Sequence, residues 1–555
     1  MDSKTNRESN AFFKNNAMET SINKYHKNKR NILNDPLKEW IILLAVFALS
    51  FSIRLIAVDH GFPLLTHPDE VFTIQPVYEM TVNKTLNSGT FNRPGQIMMM
   101  VDFVYLNLTS YLRFGQSLAY SYQEQILTIY HDARLLMAVL GSFIPIVAYQ
   151  IGKQFKPRFA LPALLVFALF PSYIQHSVYL TPDIPITLFT LLVILFTLLY
   201  LKKDREIFLY FAILFAAINT AEKYPGIISL AIVYGGVLIE LLEDPSFSFR
   251  KNWRDLAKKW ALITLLFTAA LFVVAPFLFI EIEKVIQSLI FEARTTHAGA
   301  DNLGWRGNLI FYIKSFATWT NILSLIFIGF GVYSLIRKRE KTSLFLFYGF
   351  VYWIALSYLS LHWERWALPM YITPLFLTAI GIAYTWYLSK GRLILRYPVI
   401  LVTIGFILYQ GIFSLSVPIR MSFPDTRVLA LDFCRENNIT PENTTYEGYS
   451  PFLPEGLQTI FNIDLSKAEN GDYIILSSGM YNRYFSDPER YGHRIKFYET
   501  IRTENQRIAK FEPSSQPISI TDRLEVITSV LQSKLSQAEI NRYQGPVIEI
   551  YKIIE

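Results

Sequence analysis

Long apolar stretches alternate with short polar segments along most of this chain. Eleven of these stretches contain about 15 to 20 mostly apolar residues, enough for an α-helix to cross a hydrocarbon core of roughly 30 Å. They lie near residues 40–58, 133–152, 159–178, 184–201, 206–222, 226–243, 260–280, 317–336, 343–361, 367–388 and 397–417. The pattern predicts a polytopic α-helical membrane protein with about eleven transmembrane helices.

The loops between alternate apolar stretches are rich in Lys and Arg. These basic groups are Lys153, Lys156 and Arg158, then Lys202, Lys203 and Arg205, then residues 250–259, 337–341 and 390–396. An excess of basic residues is typical of cytosolic loops. We therefore expect residues 1–39 to be a cytosolic tail, residues 40–417 to be the membrane domain, and residues 418–555 to lie outside the cytosol. The expected location is the plasma membrane.

One further apolar segment, residues 96–112, lies in the long first outer loop, residues 59–132. A membrane crossing here would reverse every later loop and turn the basic groups outward. The segment is therefore expected to be an amphipathic interfacial helix, with Asp102 and Asn107 facing water.

The C-terminal region has a different pattern from the membrane domain. Residues 426–437 and 487–504 have helical periodicity, whereas residues 473–478 and 546–553 are typical of buried strands. The sequence predicts a small extracytoplasmic α/β domain.

Composition supports a membrane protein and narrows its chemistry. Of the 555 residues 52% are hydrophobic, and the net charge of +7 is explained by the cytosolic loops, so no nucleic-acid partner is expected. Cys434 is the only cysteine, which excludes an intramolecular disulfide and a cysteine-based metal site. No His and carboxylate set has convincing ligand spacing, so no cofactor is predicted, although the acidic pair described next leaves room for a divalent cation.

The first candidate site is the sequence His67-Pro68-Asp69-Glu70, just after the first apolar stretch. Paired carboxylates at a membrane surface suit a general base that takes the proton of an attacking hydroxyl. The alternative is structural: Asp69 caps a helix running to about Met80, and Glu70 is solvated.

A second candidate site consists of three cations at the outer ends of apolar stretches: Arg134, Lys223 and Arg365. Because basic residues at this boundary oppose the charge trend, each needs a partner. The partner is either a neighbouring carboxylate, such as Asp132, Glu222 or Glu364, or an anionic ligand such as a lipid-linked phosphate. Simple salt bridges or snorkelling side chains remain the alternative.

Other polar residues near the same boundary are weaker candidates for substrate binding. They are His67, Arg93, His176, Tyr179, Asp183, Tyr224, Glu281, Glu283, Arg294, His297, His362 and Glu364. For Asp183, between two prolines where the fourth stretch begins, a helix N-cap is the preferred interpretation. The glycine-bearing loop with Arg294 and His297 either closes over a substrate or is merely solvated.

Five of these motifs, in order, resemble the GT-C glycosyltransferases of family 39. They are HPDE (67–70), HDARLLMAVLG (131–141), HSVYLTPDIPITLF (176–189), EKYPG (222–226) and HWERWALPMYITP (362–374). That family includes protein O-mannosyltransferases and the bacterial aminoarabinose transferase. The resemblance implies a GT-C fold and an inverting transfer of a sugar from a dolichyl- or undecaprenyl-phosphate donor to a hydroxyl at the outer membrane face.

The resemblance also implies roles for individual residues. Asp69 is the expected base with Glu70 beside it, and Arg134, Lys223 and Arg365 are expected to bind the donor phosphate. The chain lacks the β-trefoil-like insertion of the eukaryotic protein mannosyltransferases and adds an outer C-terminal domain. These departures argue against a protein acceptor and place the chain nearer the prokaryotic members of the family, whose acceptors are lipids, surface polysaccharides or proteins.

Two other functions remain open at this point. A flippase or exporter of lipid-linked glycans would use the same cations to guide a phosphate without chemistry. It would need polar residues through the bilayer middle, whereas the ionisable residues here lie at the boundary. A receptor or scaffold would use the helices only as an anchor, for which eleven are excessive.

Overall fold

The computed structural model describes residues 36–92, 95–294, 297, 303–338, 341–452, 472–536 and 541–554. Contacts among the described residues divide them into two compact units, with the boundary between Leu49 and Ser50. The sequence analysis divided the chain into three regions, residues 1–39, 40–417 and 418–555. This division into domains stays a prediction. Arg93 lies outside the described residues.

The membrane region is almost entirely helical within the described residues. Its helices are α1 (Pro36–Leu55), α2 (Val71–Val82), α3 (Gln96–Phe114), α4 (Leu118–Ser121), α5 (Ile126–Phe155), α6 (Pro157–Ala168), α7 (Pro171–His176), α8 (Asp183–Lys203), α9 (Glu206–Glu222), α10 (Leu230–Glu243), α11 (Phe249–Val274), α12 (Phe277–Ile280), α13 (Ile282–Glu292), α14 (Gly304–Thr318), α15 (Ile322–Lys338), α16 (Tyr348–Ser357), α17 (Ile372–Leu388) and α18 (Leu393–Met421). Short 3₁₀ helices occupy Tyr224–Ser229, Lys341–Phe347, Glu364–Ala367 and Pro369–Tyr371.

Seven of these helical segments are long and apolar enough to cross a membrane, and the bent pair α14–α15 would add an eighth. The three other predicted spans are shorter. Pro171 interrupts the third between α6 and α7, α9 has 17 residues, and residues 343–361 form a 3₁₀ turn followed by the ten-residue α16. A multi-pass helical membrane protein is confirmed, whereas the count of eleven stays a prediction.

Helix α3 covers the predicted interfacial segment, but its orientation is the reverse of the expected one. Asp102 is only 1% exposed, and Asn107 donates to Thr81 Oγ1 at 2.9 Å. The exposed side is instead apolar, with Val104 and Leu108 more than half exposed. The expectation that Asp102 and Asn107 face water is therefore wrong. A helix beside lipid turns its apolar side outward and its polar side toward protein partners.

The C-terminal region contains the predicted mixture of helices and strands. Its elements are α19 (Thr426–Glu436), the 3₁₀ turn Pro441–Asn443, β1 (Thr444–Tyr446), β2 (Tyr473–Ser477), α20 (Ser478–Phe485), α21 (Pro488–Glu504), β3 (Gln506–Phe511), α22 (Ile520–Ser536) and β4 (Ile548–Lys552). The strands form one sheet in the order β1-β2-β4-β3, with β1 parallel to β2 and the other pairs antiparallel. The α/β character predicted for this region is confirmed.

This region touches the loop that carries the HPDE sequence. Arg427 at the start of α19 is held by Asp425 through two hydrogen bonds of 2.8 Å, and its Nη1 donates to the Thr66 carbonyl at 3.1 Å. Thr66 immediately precedes His67. The C-terminal region therefore supports the backbone of the candidate site.

Candidate active site

Four chain segments meet at one end of the helical bundle. They are the loop 67–70 before α2, the first residue of α8, the segment after α9, and the 3₁₀ helix Glu364–Ala367. Because α8 starts and α9 ends here, the polar groups at those positions lie on the same side of the bundle. The geometry thus brings together motifs that are almost 300 residues apart in the sequence.

The centre of the site is a chain of four charged side chains, which we call the ion-pair chain. Asp69 pairs with Arg365 Nη1, Arg365 Nε lies 3.9 Å from Asp183 Oδ2, and Asp183 Oδ1 accepts from Lys223 Nζ at 2.5 Å. Two carboxylates thus alternate with two cations, and their formal charges cancel. The sequence analysis expected Asp69, Lys223 and Arg365 in one site, and the structure brings them together.

The members of the ion-pair chain differ in exposure. The side chain of Asp183 is 2% exposed, whereas those of Lys223, Asp69 and Arg365 are 16%, 18% and 28% exposed. Lys223 Nζ also lies 5.7 Å from the centre of the Trp366 ring, within range of a cation–π interaction. Asp183 is therefore an internal counter-charge, while the two cations and Asp69 remain accessible to a substrate.

Glu70 and Arg134 form a separate pair whose side chains are both fully buried. Arg134 donates from Nε to Oε1 at 3.0 Å and from Nη2 to Oε2 at 2.6 Å, while Nη1 donates to the carbonyls of Val58 and His60. Glu70 also accepts from the Leu180 amide at 3.2 Å. Burial alone would raise the pKa of Glu70, but Arg134 outweighs it and holds this pKa below its ordinary value.

The Glu70–Arg134 pair differs from what the sequence analysis predicted for these two residues. Arg134 was expected to bind a donor phosphate, yet in this structure its guanidinium is enclosed by Glu70 and backbone carbonyls. The alternative of a solvated Glu70 is wrong, as is a capping Asp69, because α2 shows no side-chain cap and Asp69 pairs with Arg365. The pair ties loop 67–70 to α5 and to the segment before α8.

A cluster of aromatic rings adjoins the HPDE loop. The Tyr179 ring contacts three imidazoles, with centroid distances of 4.2 Å to His67, 5.0 Å to His60 and 5.7 Å to His176. Burial lowers the pKa of His60 to about 3, lowers that of His67, and raises that of Tyr179 to about 12. These groups are neutral near pH 7, so the cluster shapes the site without adding charge.

The remaining predicted site residues have other partners. Tyr224 Oη donates to the Phe91 carbonyl at 2.9 Å. Arg294 bonds within its own loop, to Glu292 Oε1 at 3.3 Å. The rings of His297 and His362 pack on Trp363 and Phe311, respectively. These four weaker candidates therefore show structural contacts, and their binding roles stay predictions.

Charged partners in this site are not neighbours in sequence. Asp132 pairs with Arg113 at 2.8 Å rather than with Arg134, and Lys223 pairs with Asp183 rather than with Glu222. The alternative that Asp132 and Glu222, the neighbouring carboxylates, neutralise Arg134 and Lys223 is therefore wrong. Glu281, one of the weaker candidates for substrate binding, pairs locally with Lys284 at 2.6 Å, and Glu283 is exposed.

The sequence analysis predicted that Asp183 is a helix N-cap, and the structure shows a different role. It is the first residue of α8 rather than its N-cap, and the cap position, Pro182, shows no side-chain cap hydrogen bond. Its carboxylate is used for Lys223 and Arg365 instead. The N-cap interpretation is therefore wrong.

Comparisons with known proteins found one matching family and solved structures with a similar fold. Residues 130–280, about a quarter of the chain, match the model of the family described as dolichyl-phosphate-mannose-protein mannosyltransferase. The fold is similar to that of ArnT from Cupriavidus metallidurans in the apo state, with a TM-score of 0.52, 14% identity, and coverage of 86% of this chain and 97% of that one. The predicted resemblance to the GT-C glycosyltransferases of family 39 is confirmed.

A second crystal structure of the same ArnT, bound to undecaprenyl phosphate, also has a fold similar to that of this chain. The TM-score is 0.51 at 13% identity, with 92% of this chain and 98% of that chain covered. No curated protein matches the sequence of the chain. At these identities the structural likeness establishes a shared fold.

Sequence analysis missed two features of this site. His60 belongs to the Tyr179 cluster, and Asp102 and Glu222 are buried carboxyls, of which Glu222 immediately precedes Lys223 of the ion-pair chain. Spacing gave no signal for His60, because it lies in the turn after α1. Among the described residues no group of three or more His, Cys, Asp and Glu side chains is arranged to hold a metal ion.

Proposed function

We propose that this protein transfers a sugar from a polyprenyl-phosphate carrier to a hydroxyl acceptor at the outer face of the membrane. The observation that carries the proposal is the ion-pair chain: one accessible carboxylate and two accessible cations at the mouth of a GT-C fold. The family match and the ArnT structure with bound undecaprenyl phosphate support the carrier class.

The chemistry requires one base and a cationic site for the leaving group. The acceptor oxygen attacks the anomeric carbon, its proton passes to Asp69, and the bond between that carbon and the phosphate oxygen breaks. The electron pair leaves with the phosphate, whose negative charge grows by one. Lys223 and Arg365 stabilise this charge, which is most effective at a partly desolvated surface.

Donor binding would rearrange the ion-pair chain. Arg365 is bound to Asp69 in this structure and cannot hold a phosphate with the same donors. When the donor enters, Arg365 turns to the phosphate and releases the Asp69 carboxylate for the acceptor proton. Asp183 keeps Lys223 in place because its own carboxylate is buried and already bonded.

Glu70 and Arg134 act as positioning residues in this proposal. Their buried pair fixes the backbone at 70, beside Asp69, and the Leu180 amide in the segment that leads to Asp183. We assign the donor phosphate to Lys223 and Arg365 and leave Arg134 with its carboxylate partner.

The test is transfer of radiolabelled sugar from a panel of polyprenyl-phosphate sugars by the purified full-length protein, with native membrane extract as acceptor. The proposal expects consumption of one donor. A flippase without chemistry would move donor across proteoliposome membranes and consume none, so the two assays together separate the functions.

A further inference from the structure

A small cavity lies behind the ion-pair chain, next to Pro182 and Glu222, the residues that precede Asp183 and Lys223. It has a volume of about 10 Å³ and is bounded by α3, the end of α9 and the segment that precedes Asp183. Its polar walls include the side chains of Asp102, Thr181 and Glu222. None of these three has a place in the proposed transfer reaction.

Three polar atoms at this cavity have no hydrogen-bond partner among the described residues. They are Asp102 Oδ1, Thr181 Oγ1 and Glu222 Oε1, on residues that are 1%, 4% and 0% exposed. The other Glu222 oxygen, Oε2, accepts from the Met98 amide at 3.0 Å near the start of α3. Buried polar atoms in proteins are almost always bonded, so three such atoms around one cavity indicate a bound molecule.

The size of the cavity decides what it holds. A buried water needs roughly 10–15 Å³ and two to four polar partners, and the cavity offers one such volume and three partners. A magnesium ion normally keeps several waters, for which there is no room. A single water molecule is therefore the occupant that fits.

A water molecule alone does not balance the charge of the two carboxyl groups at the cavity. Two neighbouring carboxylates in a buried site cannot both ionise without a compensating positive charge. Burial, reinforced by the Glu222 charge, raises the pKa of Asp102 well above its ordinary value. A proton is the smallest compensating charge.

We propose that Asp102, Glu222 and Thr181 form a binding site for one proton and one water molecule. The proton resides mainly on Asp102, and the water bridges the three side chains. The pair then carries one negative charge instead of two, and α3 is bonded through the water to the wall of the candidate active site.

The surroundings set the charge balance of this site. Glu222 is the last residue of α9, Lys223 follows it, and Asp183 is the first residue of α8. The opposite charges of Lys223 and Asp183 partly cancel at Glu222. The uncharged Thr73 of α2 also lines the cavity. The remaining titratable and charged groups near Asp102 are Tyr105 on α3 itself and, next to Tyr105, the ion pair Arg113–Asp132.

The bound proton also has a consequence that rests on the proposed function. The four members of the ion-pair chain sum to zero charge, so a donor phosphate meets a neutral site. Ionisation of Asp102 would add a negative charge behind Lys223 and weaken phosphate binding. The Michaelis constant for the donor should therefore rise at alkaline pH in the wild type and less so in Asp102→Asn.

The primary test measures the unfolding equilibrium of the full-length protein in detergent as a function of pH and involves no donor. An acid with a raised pKa in the folded state stabilises the fold at low pH, and this stabilisation is lost as pH rises through the folded pKa. Asp102→Asn removes the proton and keeps the shape. Relative to this variant, the unfolding constant of wild type should increase about tenfold per pH unit between pH 5 and the folded pKa.

Two further variants and one spectrum complete the test. Thr181→Val removes a water partner without changing charge and should lower stability equally at every pH. Glu79→Gln, on the exposed side of α2, should follow wild type throughout. Near pH 7 the infrared difference spectrum, wild type minus Asp102→Asn, should show the C=O stretch of one protonated carboxylic acid, because the band of Glu447, whose pKa is raised to about 8, is present in both proteins and cancels.

Three results would overturn the proposal. Parallel pH profiles for wild type and Asp102→Asn would mean that Asp102 is ionised in the folded protein. Identical infrared spectra in the carboxylic acid region would mean the same, even if the variant folds poorly. Stabilisation of wild type but not of Asp102→Asn by added calcium or magnesium at fixed pH would replace the proton with a metal ion.

Discussion

Breaking the buried pair Glu70–Arg134 should destabilise the protein strongly and leave the substrate groups intact. Glu70→Gln keeps the size of the side chain but places an amide group against the guanidinium. Both native side chains are fully buried, and Arg134 makes two hydrogen bonds to Glu70 and two to backbone carbonyls. Removing one partner of such a pair leaves a buried charge, which costs roughly 3–5 kcal/mol.

The assay is unfolding of the purified protein in detergent, followed by a double-mutant cycle with Arg134→Met. Each single variant should lose about 3–5 kcal/mol, whereas the double variant should lose clearly less than the sum, because no charge remains buried. The matched control is Asp59→Asn, which removes a pair with His131 of similar length, 2.6 Å, but with side chains 61% and 33% exposed. That variant should change stability by less than about 1 kcal/mol.

One result would refute this reasoning directly. If Glu70→Gln is as stable as wild type but loses donor binding, Glu70 and Arg134 belong to the substrate site. Arg134 would then bind the donor phosphate, as the family resemblance first suggested, and its enclosure in this structure would describe only the donor-free protein.

Three further predictions concern single residues. Lys223→Met should raise the Michaelis constant for the donor roughly 10- to 100-fold, the range for a lost hydrogen bond to a charged group, and an unchanged constant would remove Lys223 from the phosphate site. His60 has its pKa lowered to about 3 by burial, so its stabilising contribution is present above pH 6.5 and lost as pH falls through 3, by up to roughly 5 kcal/mol; His60→Gln should flatten the acid side of the stability profile, and an identical acid limb in both proteins would contradict the burial argument. Glu447 in the C-terminal region has its pKa raised to about 8 by burial, so stability should fall as pH rises toward 8, and Glu447→Gln should lessen that fall; a steeper fall in the variant would show that Glu447 is ionised in the folded protein.

The sequence was informative about elements and about which motifs meet. Apolar length predicted the helices, and the shared outer boundary predicted that Asp69, Lys223 and Arg365 lie together. Helix and strand patterns also located α19, α21, β2 and β4 in the C-terminal region. These features depend on local composition and on the side of the membrane, both of which a single sequence carries.

The sequence could not predict which charged side chains form ion pairs, because the pairing depends on how the helices pack. Arg134 pairs with Glu70, which is 64 positions away in the sequence, and not with the nearby Asp132. Asp183 was predicted to cap a helix, but its carboxylate is the counter-charge of Lys223. The orientation of Asp102 was predicted wrongly because amphipathicity was assigned with water as the polar partner. In this fold the polar side of α3 faces the protein.

The central claim is that Asp69 is the base of a sugar transfer from a polyprenyl-phosphate donor. Its most direct test is the rate of radiolabelled sugar transfer by wild type and by Asp69→Asn, with donor binding measured on the same samples. We predict that Asp69→Asn binds the donor but turns it over at least about 100-fold more slowly, the lower range of general-base contributions. Equal turnover by the two proteins would contradict the assignment of Asp69, and no turnover of any donor by wild type would contradict the transferase itself.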